Sequence, residues 1–204
     1  MTTEEQLKNI KQSFRLIMDG AIAQSMRDKG VNYHLNWGAS VLFLKNKADE
    51  IGLDYDLAIA LWKENIRECK ILATMIMPPE KMLPEVLDLW VEQIPSVEIA
   101  EQLAFNLMQK LPFSGSKAFL YLSNSAVFPQ IVGYHTLSRL FMQRVELNER
   151  AINEFVDQAI AALLSNHVSL SKSAKQALIR FSEMSLMHKR LVLSATSRVG
   201  VSIL

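Results

Sequence analysis

The stretch from Leu61 to Met77 reads LWKENIRECKILATMIM, and it decides the fold class. Its apolar side chains recur at helical spacing, and it closes with the pattern Leu-Ala-x-x-Ile-Met at residues 72–77. Similar patterns follow 31 residues later, at 103–108, and a further 34 residues on, at 137–142. A small residue among large ones lets neighbouring helices approach closely. The three copies therefore predict repeated helix pairs of about 30 to 40 residues.

Helical periodicity continues along the rest of the chain, without the alternation that strands require. We expect an all-α protein, a right-handed α-α superhelix of HEAT-like or armadillo-like helix pairs, in a single domain over residues 1–204. A long first helix is predicted to begin with the capping box of Thr2 and Glu5 and to end at Gly30. The predicted pairs then span residues 40–77, 84–110, 116–145 and 148–196.

Composition excludes a disordered chain, since 50% of the 204 residues are hydrophobic and 21% are charged. The one cysteine, Cys69, cannot form an internal disulfide, which favours a reducing compartment. Charges run through the first thirty residues, where a secretory signal would need an apolar stretch. We therefore expect a cytoplasmic protein without a membrane segment.

Specific residues in the opening stretch carry a family resemblance. Leu61-Trp62, Arg67-Glu68 and Ala73-x-x-Ile76-Met77 together resemble the signature segment of the AlkD-like DNA alkylation-repair superfamily. Upstream, Asn36-Trp37-Gly38 is similar to that family's N-terminal portion. The resemblance implies a HEAT-like solenoid that binds double-stranded DNA on a basic concave face. It also implies excision of N3- or N7-alkylated purines, with aromatic rings and a carboxylate beside the deoxyribose.

The carboxylate of the family pattern is an Asp that follows a Trp, at the start of the helix that here begins near Ser96. This chain has neither residue there, and Glu98 and Glu101 are the candidate catalytic carboxylates in their place. A carboxylate at that position would stabilise the oxocarbenium character that develops as the glycosidic bond breaks. A Glu in the first helical turn also suits the helix dipole. Arg67 and Glu68 are predicted to hold helices together.

The aromatic walls and the DNA contacts have candidates in the second half of the chain. Phe128, Tyr134 and His135 are the candidate pocket residues, and the alternative for Tyr134 and His135 is a hydrogen-bonded, partly buried pair. Residues 158–204 contain six basic side chains and one acidic one, Glu183, which indicates a nucleic-acid face or a solvated helical surface. The candidate DNA contacts are Lys172, Lys175, Arg180, Lys189, Arg190 and, earlier in the chain, Arg139.

The sequence contains no metal-ligand spacing among its four scattered histidines and no glycine-rich phosphate loop. We therefore expect neither a metal nor a cofactor. Two hypotheses of function follow. The first is a DNA-binding protein of the alkylation-repair superfamily, whose enzymatic version is a DNA glycosylase. The second is a non-catalytic HEAT-repeat scaffold that binds a protein partner on its concave face.

Overall fold

The computed structural model describes residues 2–31 and 33–203. Over these residues the protein is all-helical, with one isolated parallel bridge between Leu35 and Ile66 and no strand. The helices group into two compact units, and the boundary between them in the sequence falls between Leu107 and Met108. The single domain over residues 1–204 stays a prediction.

Unit 1 contains seven α-helices within the described residues, with a 3₁₀ turn at Pro79–Lys81. They are α1 (Thr3–Leu16), α2 (Gly20–Asp28), α3 (Val41–Ile51), α4 (Tyr55–Lys63), α5 (Arg67–Ile76), α6 (Pro84–Glu92) and α7 (Val97–Asn106). Helix α5 packs against α3, α4 and α7, so it is the centre of the unit. The indoles of Trp62 and Trp90 stack in the core, with ring centroids 4.2 Å apart.

Unit 2 begins with a 3₁₀ turn at Met108–Lys110 and has five α-helices in the part of the chain that is described. They are α8 (Ser114–Leu122), α9 (Val127–Met142), α10 (Glu149–Leu163), α11 (Val168–Ser182) and α12 (Leu186–Arg198). Helix α9 packs against α8 and α11, and α10 packs against α11. The rings of Phe141, Phe155 and Phe181 meet in the core at centroid distances of 5.0 to 5.1 Å.

The long first helix predicted up to Gly30 is wrong, because the structure divides it into α1 and α2. The capping box of Thr2 and Glu5 is present as predicted. Asp19, however, starts a second helix by accepting a hydrogen bond from the Ile22 amide, and its own amide donates to the Trp37 carbonyl. Helical periodicity reports only neighbours within a few turns, so it did not indicate the hydrogen bond from Asp19 to Trp37, eighteen residues away. The sequence therefore predicted one helix.

The predicted last helix over residues 171–196 is also two helices, α11 and α12. Ser185 begins α12, since its hydroxyl accepts a hydrogen bond from the His188 amide. Helix α7 likewise ends at Asn106, before a 3₁₀ turn, rather than continuing to residue 110. The predicted helix pairing is confirmed where α4 packs on α5, α8 on α9 and α10 on α11, whereas α6 and α7, the predicted pair over residues 84–110, make no extensive contact with each other.

Candidate functional site

The second helices of successive pairs pack side by side and form one polar seam in each unit. In the α5–α7 seam, Arg67 pairs with Glu98, and the Asn106 amide donates to Thr74 Oγ1 at 2.8 Å. In the α9–α11 seam, His135 Nε2 lies 3.1 Å from Ser173 Oγ. Two of the predicted site residues, Glu98 and His135, belong to these seams.

Glu98 is tied to two neighbours by hydrogen bonds to both of its carboxylate oxygens. Arg67 Nη2 donates to Oε1 at 2.6 Å, and Arg67 Nε donates to Oε2 at 2.8 Å. The Tyr33 hydroxyl also donates to Oε2, at 2.6 Å. A bidentate pair between arginine and a carboxylate is among the strong hydrogen-bonded contacts in proteins. Glu98 therefore holds α5, α7 and the loop after α2 together.

The pKa shifts of Glu98 and Tyr33 agree with these hydrogen bonds. Burial alone would raise the pKa of Glu98, but the hydrogen bonds and charge of Arg67, with the Tyr33 hydroxyl, outweigh it and lower the pKa. Burial raises the pKa of Tyr33, and the negative charge of Glu98 raises it further. The Glu98 side chain is 25% exposed and that of Arg67 is 2% exposed. Glu98 is thus a charged, structurally engaged carboxylate.

The prediction that Arg67 and Glu68 hold helices together is confirmed. Arg67 Nη1 donates to the Ala39 carbonyl at 2.8 Å, beside its pair with Glu98. Glu68 is fully buried, and its Oε1 accepts from the amides of Trp37 and Ala39. The two adjacent side chains therefore fasten the loop before α3 to the start of α5. Tyr33 is the member of this network that sequence reasoning did not assign.

Glu101 lies one turn after Glu98 on α7, and its side chain is exposed to solvent. The two candidate carboxylates thus occupy different environments on one helix. The charge of Glu98 is paired with that of Arg67. Glu101 is accessible, and its catalytic role stays a prediction.

The three candidate pocket residues lie on α9 but face different neighbours. Tyr134 is buried, and its hydroxyl donates to the Gln158 carbonyl on α10 at 2.9 Å. His135 is half-buried and meets Ser173 on α11 instead. Phe128 is half-buried in the first turn of α9. Burial, and then the positive charge of Arg139, lowers the pKa of His135 to about 4, so this imidazole is neutral at pH 7.

The six candidate DNA-binding side chains all belong to unit 2. Lys172 and Lys175 are exposed one turn apart on α11, and Lys189 and Arg190 are exposed on α12. Arg180 is half-buried and forms an ion pair with Glu183 at 2.9 Å. Arg139, on α9, is half-buried as well.

Unit 2 as a whole is basic and unit 1 is acidic. From Met108 onward the sequence has 11 Lys and Arg against 5 Asp and Glu, a net charge of +6. Up to Leu107 it has 11 against 16, a net charge of −5. Arg144, which was not among the predicted contacts, belongs to the basic set and donates from Nη1 to the Glu183 carbonyl.

One buried cation in unit 1 was also missed. Lys70 Nζ donates to the Trp62 carbonyl at 2.9 Å and lies 4.4 Å from the centre of the Trp62 ring. Burial lowers its pKa to about 8. Lys70 therefore secures the stacked indoles of the core. A separate cavity lies between α1, α3 and α4 and contains none of the predicted site residues; its lining is Gln6, Asn9, Ile10, Lys47, Glu50, Ile51 and Leu57.

Metal-binding clusters and membrane-spanning helices are both absent from the described part of the chain. Among residues 2–31 and 33–203, no three His, Cys, Asp or Glu side chains gather in a way that could hold a metal ion. No α-helix in those same ranges has the length and apolar character needed to cross a membrane.

Comparison with known proteins identifies the fold. The chain matches no family model and no curated protein. A solved structure, described as belonging to a new family of proteins related to the HEAT-like repeat DNA glycosylases with affinity for branched DNA structures, superposes with a TM-score of 0.83. The match covers 95% of this chain and 83% of that one, at 12% sequence identity. The chain therefore has the all-α HEAT-like repeat fold of the DNA glycosylase-related proteins, as the resemblance predicted.

Proposed function

We propose that this protein binds DNA through the basic surface of unit 2, prefers branched DNA, and does not excise bases. The observation that carries the proposal is the superposition of 95% of the chain on a protein described as having affinity for branched DNA. The charge of unit 2 supports it, because contacts to phosphates supply most of the affinity of DNA-binding proteins.

The exposed cations of α11 and α12 are the proposed contacts. Lys172 and Lys175 lie one turn apart, and Lys189 and Arg190 are adjacent on the next helix. Long cationic side chains without acidic neighbours in sequence suit backbone phosphates. Lys172 and Lys175 meet this condition best, since the acidic residue nearest to them in sequence is Glu183.

We propose that the protein does not excise bases because Glu98 is paired with Arg67. A carboxylate stabilises an oxocarbenium ion through its negative charge, and the bidentate ion pair with Arg67 offsets that charge at Glu98. The exposed Glu101 stands apart from that ion pair on α7. The E101Q substitution tests directly whether Glu101 supports base excision.

The test is fluorescence anisotropy with a four-way junction, a fork and a linear duplex of equal length, on the full chain. The K172E/K175E variant should weaken binding to all three by at least about tenfold, since two phosphate contacts are lost. The K45E/K63E variant is the matched control, because Lys45 and Lys63 are exposed in unit 1 and the charge change is equal. Equal weakening by both variants, or no binding at low salt, would overturn the proposed surface.

Base excision is tested on the same protein sample. Methylated DNA is incubated with the wild type and with E101Q, and released 7-methylguanine and 3-methyladenine are measured. We expect no release above the protein-free rate. Release that disappears in E101Q would contradict the proposal and would make Glu101 the catalytic carboxylate.

A further inference from the structure

Helix α12 presents an apolar and basic face that is exposed to solvent. Its inner side buries His188, Val192 and Thr196. On the outer side, Leu186 is 65% exposed and Leu193 is 41% exposed, two helical turns apart. Lys189 and Arg190 lie between them and are exposed as well. We call this surface, made of Leu186, Lys189, Arg190 and Leu193, the α12 face.

Helix α6 presents a face of the opposite charge. Its inner side buries Leu87, Trp90 and Val91. Glu85, Leu89 and Glu92 follow one another at spacings of four and three residues, so they lie on one outer stripe. Leu89 is 56% exposed, and both glutamates are exposed. We call this stripe the α6 face.

The two faces have opposite charges, and both carry exposed leucines. On α6 the exposed Leu89 lies between two acidic side chains, and on α12 the exposed Leu193 lies beside two basic ones. Glu92 lies three residues after Leu89, and Arg190 lies three residues before Leu193, so each charge is about 4.5 Å from its leucine along the helix, at 1.5 Å per residue. When the two leucines face each other across antiparallel helices, Glu92 therefore meets Arg190.

We propose that the α12 face of one molecule docks on the α6 face of a second copy of this chain. The two surfaces differ, so the contact is heterologous, and each copy can bind one neighbour through α6 and another through α12. A single helix-to-helix contact buries less than the roughly 1,200 Å² of a stable complex, so association is weak and reversible. Exposed charges hold it together, so salt weakens it.

This inference does not depend on DNA binding, although Lys189 and Arg190 serve both surfaces. DNA and the second copy compete for Lys189 and Arg190, so DNA binding weakens self-association. Lys172 and Lys175 on α11 stand outside the α12 face. The K172E/K175E variant therefore separates the two properties.

The experiment is sedimentation velocity across a concentration series, in about 50 mM and about 500 mM salt. We expect the weight-average sedimentation coefficient of the wild type to rise with concentration at low salt only. K189E/R190E and E85K/E92K should each remain monomeric, because each variant makes its two faces alike in charge. A mixture of the two variants, and the quadruple variant, should associate again. K172E/K175E should associate like the wild type while its DNA affinity falls.

The charge-swap rescue is decisive because a general loss of charge or of folding cannot produce it. Circular dichroism of each variant checks that the helices are retained, and all four substituted side chains are exposed. A wild type that stays monomeric at low salt would overturn the proposal. Association that persists in both double variants, or that the mixture does not restore, would overturn it too.

Discussion

At the scale of the residue, we expect the Glu98 carboxylate to stabilise the folded protein. In E98Q, the buried Arg67 keeps its charge and its contact with Glu68 but loses its bidentate carboxylate. Breaking a buried ion pair from one side is costly, so we expect the free energy of unfolding to fall by about 2 to 4 kcal/mol. Urea denaturation measures this change.

E101Q is the control for that prediction, because Glu101 is exposed on the same helix. Its free energy of unfolding should stay within about 0.5 kcal/mol of the wild type. If E98Q proved as stable as the wild type, the structural role assigned to Glu98 would be wrong.

His135 makes stability depend on pH. Its pKa is about 4 in the folded protein, below the ordinary value of 6.5, so the unfolded chain binds the extra proton. Stability is therefore fully present above about pH 6.5 and falls as the pH drops towards 4, with a loss of about 2 kcal/mol by about pH 5. Thermal unfolding of the wild type and H135Q at pH 7 and pH 5 tests this. The pH-dependent loss should be smaller in H135Q by that amount, and an equal loss in both proteins would contradict it.

At the scale of the element, the close approach of α8 and α9 depends on Gly133. A Cβ at this position would lie 2.8 Å from the Ala118 carbonyl oxygen and 2.9 Å from Leu122 Cδ2. G133A should therefore destabilise the protein by about 1 to 3 kcal/mol, since backbone on α8 cannot yield as a side chain can. Denaturant unfolding is the measurement.

Gly115 gives the matched control for that substitution. It lies in the first turn of α8, and a Cβ at this position would meet no heavy atom of the described residues within 4 Å. G115A should leave stability unchanged or raise it by up to about 1 kcal/mol, because alanine loses less backbone freedom than glycine. Equal destabilisation in both variants would show that helix packing is not the cause.

At the scale of the whole molecule, a net charge of +1 conceals a separation between an acidic and a basic unit. Each phosphate contact contributes about 0.9 to the slope of log affinity against log salt. K172Q/K175Q should therefore reduce the slope for duplex DNA by about 1.8, twice that contribution, and K45Q/K63Q should leave it unchanged. Anisotropy titrations at several salt concentrations measure the slope. An unchanged slope in K172Q/K175Q would exclude those lysines as phosphate contacts.

The amino-acid sequence by itself determined the fold class. Periodicity and the small-residue pattern of 72–77 and its two copies act within a few turns of helix, so they predicted helix pairs from local information. The same local information predicted one helix where there are two, because the hydrogen bond from Asp19 to Trp37 closes across a loop.

Only the tertiary structure decided what the candidate site residues do. Glu98 and Glu101 look equivalent in sequence, one turn apart on one helix, until α5 brings Arg67 to Glu98 from 31 residues away. Tyr134 and His135 are neighbours in sequence, and packing directs one to α10 and the other to α11. The physical reason is that an ionisable side chain takes its role from burial and charged partners, and these come from chain segments that sequence spacing does not relate.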